Sequence, residues 1–192
     1  LALMKNFRSK INLVSQEIGA MNVNPYPLQA DEVDVEADIP IGKRNVNNMA
    51  ILLAIDNYDD INFTETKFSG RDGKIFRLYM QNLFGMDDYQ LYPSKSWQME
   101  DGPSKSDMEK IFDPHQGVVR NRVISSSKYS NIDYVDISIF YSGLGYWLNK
   151  KPYLIPRDGK KLDASSYVSL EDILLNLSKL SVLENINSIT IY

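Results

Sequence analysis

The sequence predicts an α/β fold, a three-layer α/β/α sandwich built on a mainly parallel central sheet. Three observations carry this expectation. Residues 49–55 form an unbroken apolar run bounded by Asn47-Asn48 and Asp56-Asn57, as in a strand covered on both faces. Residues 134–141 supply a second clear strand, rich in Ile, Tyr and Val. Between and after them, helix-like and strand-like segments alternate, which calls for crossover connections and parallel pairing. The chain has 192 residues, of which 43% are hydrophobic and 24% charged, so it can bury a substantial core.

From the start of the chain, Phe7, Ile11, Val14, Ile18 and Met21 recur at intervals of three and four, predicting an amphipathic helix over residues 1–21. Residues 22–48 read as an extended linker, because Pro25, Pro27 and Pro40 oppose helix. Within it, Asp34, Glu36 and Asp38 alternate with apolar residues, as on an edge strand with its charges outward; the spaced oxygens and turn glycine of a calcium loop are missing. The main domain is expected over residues 49–192. Its first helix is predicted over residues 71–84, with Ile75, Phe76, Leu78, Tyr79 and Leu83 on one face and Gly85 closing it.

Residues 89–92 form a short strand candidate ended by Pro93, and polar residues 94–106, with Gly102-Pro103, read as a loop. A helix is expected over 106–127, interrupted at Pro114 and Gly117. Residues 147–155 suit a hairpin around Asn149-Lys150-Lys151. Ser169 reads as the N-cap of a helix carrying Ile173, Leu174, Leu177 and Leu180, with Asp172 near the capping-box position. Residues 188–192 give a last strand.

Composition narrows the chemistry. The net charge is -4 and the basic residues are dispersed, so no nucleic-acid partner is expected. The absence of cysteine excludes, within this chain, a disulfide scaffold, a thiolate zinc site and a cysteine nucleophile. His115 is the one histidine, which excludes a histidine-rich metal site and any Ser-His or Cys-His pair that does not use it. No cofactor is expected. No apolar run approaches the roughly 20 residues that span a bilayer. Leu1-Ala2-Leu3-Met4-Lys5 is too short and too soon charged for a signal peptide, and a first residue other than Met suggests a fragment or a processed chain.

In a parallel sheet the working loops follow the carboxyl ends of the strands, here residues 56–60 and 142–146. The segments that bring these loops resemble, in order, those of caspase-like cysteine peptidases. Ala50 to Ile55, followed by Asp56-Asn57-Tyr58, resembles the opening strand and turn. Gly70-Arg71-Asp72-Gly73 through Leu83-Phe84-Gly85 resembles the first helix. Phe140-Tyr141-Ser142-Gly143-Leu144-Gly145 resembles the Tyr-Ser-Gly-His-Gly motif, and Pro152-Tyr153-Leu154-Ile155-Pro156-Arg157-Asp158 the segment that follows it. Asp34 to Pro40 is similar to a lead-in of bacterial members. The resemblance covers residues 34–192 and corresponds to the large-subunit half.

That resemblance implies a histidine proton carrier at position 144, an oxyanion N–H from Gly145, and a cysteine nucleophile ending the next strand. The chain departs from it twice: Leu144 occupies the histidine position between Gly143 and Gly145, and no cysteine is present. The expectation is a catalytically inactive domain, a scaffold or regulator with a protein or peptide partner and possible self-association through its terminal strand edge. The alternative is a truncated or inactivated piece of an active cysteine endopeptidase. A plain structural domain of a larger protein is a third reading.

Other candidates have simpler readings. His115 reads as a loop histidine. Gly143-Leu144-Gly145 lacks the third glycine of a dinucleotide loop. Asp56, Asp59 and Asp60 read as a solvated turn before a divalent-ion site. Tyr134, Tyr141, Tyr146, Trp147 and Tyr153 read as core and sheet cover before a peptide groove.

Overall fold

The computed structural model describes residues 41–94, 102–130 and 133–192. The expected helix over 1–21, the acidic stretch at 31–38 and residues 95–101 of the expected loop lie outside them. In chain order the elements are β1 (Asn48–Ala54), α1 (Ser69–Leu83), β2 (Leu91–Tyr92), α2 (Lys105–Ile111), α3 (Val118–Ser130) and β3 (Val135–Ser142). They continue as β4 (Gly145–Leu148), β5 (Lys151–Leu154), β6 (Val168–Ser169), α4 (Leu170–Leu183) and β7 (Ile186–Ile191).

The main sheet has the order β2-β1-β3-β7, and all its pairings are parallel. β1 pairs with β3 from Asn48↔Asp136 to Ala54↔Ser142, so both strands release their chains at the same end. Because successive side chains point to opposite faces, β1 feeds two clusters. Met49, Ile51 and Leu53 join Met108 and Ile111 of α2, Val119 and Val123 of α3, and Ile173, Leu177 and Leu180 of α4. Ala50, Leu52 and Ala54 join Met80 of α1, with Phe76 against them. Phe76 also stacks on Phe140 of β3 at 4.6 Å between centroids. Each large aliphatic side chain buried this way contributes about 1.5–3 kcal/mol, which explains why the apolar run of β1 has no polar break.

Caps and breakers set the helix ends. α1 stops at Gly85, whose φ of +58° suits glycine, and a Cβ there would stand 2.6 Å from Arg44 Cα. The helix expected over 106–127 is two helices. Pro114 cannot continue α2, and the Asp113 carboxylate accepts from the N–H groups of His115 at 2.7 Å and Gln116 at 2.9 Å before α3 begins. α4 is capped by Ser169 Oγ, which accepts from Asp172 N–H at 3.3 Å.

The predicted strand over 89–92 holds only for its second half. Residues Asp88–Gln90 form a 3-10 turn, because the Gln90 side chain bonds locally and across the chain: its Oε1 accepts from Asp87 N–H at 3.0 Å and its Nε2 donates to Asn48 O at 2.7 Å. Arg77 of α1, 5% exposed, fastens the exit of β2 by donating to Pro93 O, Ser94 O and Asp88 Oδ1 at 2.6–2.7 Å.

A second, antiparallel sheet, β4-β5-β6, stands beyond the end of β3. Its hairpin matches the expected turn, with Asn149 and Lys150 both left-handed at φ 50° and 64°. β6 is two residues long and has no alternating pattern to announce it.

Candidate functional site

The loop that follows β3 carries Gly143 and Leu144, and its position is fixed by two tyrosines. Leu144 N–H donates to the Tyr58 hydroxyl at 2.6 Å. The Tyr141 hydroxyl lies 2.7 Å from Leu144 O and 3.1 Å from Ile155 O, so its one proton is shared between two carbonyls. Ile155 N–H closes the arrangement by donating to Leu144 O at 3.0 Å. Gly143 fits because it is bare: a Cβ there would lie 2.8 Å from the Tyr141 hydroxyl and 3.0 Å from that of Tyr58.

Tyr58 is held in turn by the loop after β1. The Asp56 carboxylate accepts from Gly70 N–H at 2.8 Å, at the start of α1. Thr66 N–H donates to Asp56 O at 3.0 Å, and the Thr66 hydroxyl donates to Ile55 O. Burial raises the ionisation of both Tyr58 and Tyr141 above the usual tyrosine range. Both hydroxyls therefore stay neutral at neutral pH and act here as hydrogen-bonding struts.

Leu144 itself is half-buried, at the carboxyl end of the sheet, and offers no group to carry a proton. Gly145 is exposed. It stands opposite Leu154, whereas the two-residue turn makes Leu148 and Lys151 a hydrogen-bonded pair. Alternation then makes Gly145 and Leu154 a pair without mutual bonds, so the Gly145 N–H is directed away from β5.

The other sequence candidates fall elsewhere. His115 sits exposed in the turn between α2 and α3, where Arg120 donates to its carbonyl at 2.7 Å. Asp56, Asp59 and Asp60 are spent on separate partners. Asp60 accepts from Asn62 N–H at 2.9 Å and Lys161 N–H at 2.8 Å, and those donors hold its carboxyl below the ordinary range. Asp59 faces Arg157, with Nε 3.8 Å from its carboxylate. Among the described residues no group of three or more His, Asp or Glu side chains is set to hold a metal ion. Among the same residues no helix is long and apolar enough to cross a membrane.

The aromatic set is divided. Tyr58, Phe63, Tyr167, Tyr146 and Tyr153 form a string around Tyr167, with neighbouring centroids 5.4–6.5 Å apart. Expecting Tyr134, Tyr146 and Trp147 as core or sheet cover is corrected: they are 47%, 40% and 67% exposed. Tyr134 precedes β3 at the far end of the sheet, and Trp147 lies on the face of β4 opposite to Tyr146 and the Tyr167 string. Phe63 and Tyr167 escaped the sequence reading because neither lies in a periodic segment.

Two cavities flank this end. One of about 310 Å³ lies between α2, α4 and β5, lined by Phe112, Tyr153 and Ile173. One of about 160 Å³ lies beside Tyr92, Gly102 and Asp107. Asp107 is occupied as a helix cap, accepting from Ser104 Oγ at 2.6 Å, which holds its carboxyl below the usual range. A scan against protein-family models finds no match for this chain, and a search of the curated proteins finds none either.

Proposed function

We propose that this is a non-catalytic domain of caspase-like, three-layer α/β/α architecture that binds a protein or peptide partner and does not cleave it. One observation carries the reading. Leu144 occupies the loop after β3, at the carboxyl end of the parallel sheet, where this chemistry requires a proton carrier. The distribution of helices supports it, since residues of α1 and residues of α2, α3 and α4 join different faces of β1. So does the local geometry: the Tyr58 and Tyr141 struts hold the 143–145 loop in one shape around an aliphatic side chain.

The test uses the protein encoded by the complete gene, incubated under reducing conditions with a broad peptide library. The expected result is no cleavage above buffer. Cleavage that a thiol-alkylating reagent abolishes overturns the proposal.

A second reading, an inactivated piece of an active cysteine endopeptidase, is favoured by Gly143 and by the outward N–H of Gly145, a backbone donor of the kind an oxyanion hole uses. The variant Leu144→His in the same full-gene protein separates the two: appearance of thiol-dependent cleavage supports the second reading, and continued inactivity supports the first.

A further inference from the structure

The edge of the small sheet carries an inference that rests on the proposed partner-binding role and not on the chemistry of position 144. β4 is an edge strand: in the order β4-β5-β6, β5 is its one strand neighbour among the described residues. Gly145, Tyr146 and Trp147 are all exposed, with Leu148 half-buried. The phase of the hairpin fixes which backbone groups face outward. Leu148, Tyr146 and Leu144 have the parity that bonds β5, as Ile155 N–H to Leu144 O at 3.0 Å shows. Gly145 and Trp147 therefore direct both N–H and C=O to the free side.

Proteins ordinarily guard such an edge with a charge, a proline or a bulge. Residues 145–148, Gly-Tyr-Trp-Leu, contain no charge and no proline, and their pairing with β5 is regular. Instead Trp147 is 67% exposed across from Pro152, and Lys150 stands exposed in the turn at the end of the strand. Lys151, by contrast, is paired with Glu171 at 2.8 Å.

We infer that the outer edge of β4 is a docking strand for an extended acidic peptide segment of a partner protein. The segment adds to the sheet as a further strand, exchanging backbone hydrogen bonds with Gly145 and Trp147. An apolar side chain of the segment lies on the Trp147 ring, and a carboxylate near the turn meets Lys150. The Tyr58 and Tyr141 struts hold the start of this edge fixed, so little ordering of the domain opposes binding.

The experiment screens the 192-residue chain against an array of ten-residue peptides and follows the best binder by backbone NMR. Enrichment of acidic, extended peptides is expected, together with slowed exchange of the Gly145 and Trp147 amides on binding. Gly145→Pro removes one outward donor, and its side chain has room, since a Cβ there meets only Tyr153 O at 3.6 Å. Loss of one backbone bond with its neighbour disturbed weakens binding by about tenfold. Trp147→Thr, a neutral change at an exposed strand position, removes the ring and does the same, while both variants keep the parent melting temperature. Three results overturn the inference: no peptide bound, peptides bound equally by both variants, or protection at other amides. A concentration-dependent increase in mass that Trp147→Thr abolishes assigns the edge to a second copy of the chain and also overturns it.

Discussion

Tyr58 and Leu144 are joined by a hydrogen bond that spans 86 positions of chain, and Gly143, lacking a Cβ, leaves room beside it for the Tyr58 and Tyr141 hydroxyls. A methyl group at 143 must displace both hydroxyls. Gly143→Ala is therefore expected to lower stability by roughly 1–3 kcal/mol, read from urea unfolding midpoints. Tyr141→Phe removes the donor shared by Leu144 O and Ile155 O; the first keeps Ile155 N–H, the second loses its partner. A loss of about 1–3 kcal/mol is expected, with a larger effect on amide exchange at residues 144 and 155 than elsewhere. Of this cluster, the sequence discloses Tyr141, Gly143 and Leu144 by their order in one short motif. It does not disclose that Tyr58 bonds Leu144, since no periodicity connects residues from two loops.

At the scale of single elements, local chemistry was most legible where one residue decides the outcome. Ser169 caps α4, Gly85 ends α1, and Asn149-Lys150 turns the hairpin; each follows from a side chain or backbone preference that acts over a few residues. Ser169→Ala is expected to cost about 1 kcal/mol in thermal or urea unfolding. Lys150→Gly relieves a left-handed side-chain clash at φ 64° and is expected to raise stability by roughly 0.5–1 kcal/mol by the same measurement. Elements shaped by distant partners were less legible. Gln90 leaves the expected strand for a turn because Asn45 and Asn48 carbonyls need its amide, and β6 exists only because β5 lies beside it.

For the molecule as a whole, the alternation of strands and helices was enough to specify a parallel sheet, because β1 carries apolar residues on both faces and each crossover supplies a helix to cover them. Stability should follow pH at both extremes. The carboxyls of Asp60, Asp107, Asp113 and Asp163 are held below their ordinary range by hydrogen-bond donors: Asn62 N–H for Asp60, the Ser104 hydroxyl for Asp107, Gln116 N–H for Asp113 and the Ser165 hydroxyl for Asp163. Their contribution is present above about pH 4 and is lost as pH falls, when the unfolded chain binds protons more readily than the folded one. Tyr58 and Tyr141 shift the other way through burial, so their contribution is full below about pH 10 and declines above it, where unfolded tyrosines ionise first. Unfolding midpoints measured across that range should form a plateau that falls at both ends; a midpoint still rising at pH 11 contradicts the tyrosine assignment.

The register of the main sheet also governs how the chain reaches this state. Ala50 must find Leu91, and Asn48 must find Asp136, before either pairing yields any backbone bonds. Each search closes a long stretch of polymer whose entropy is lost ahead of the reward. Assembly is thus expected on the slow side for a domain of this length, in milliseconds to seconds. On a ribosome β1 emerges long before β3 and waits with both of its oily faces unclothed.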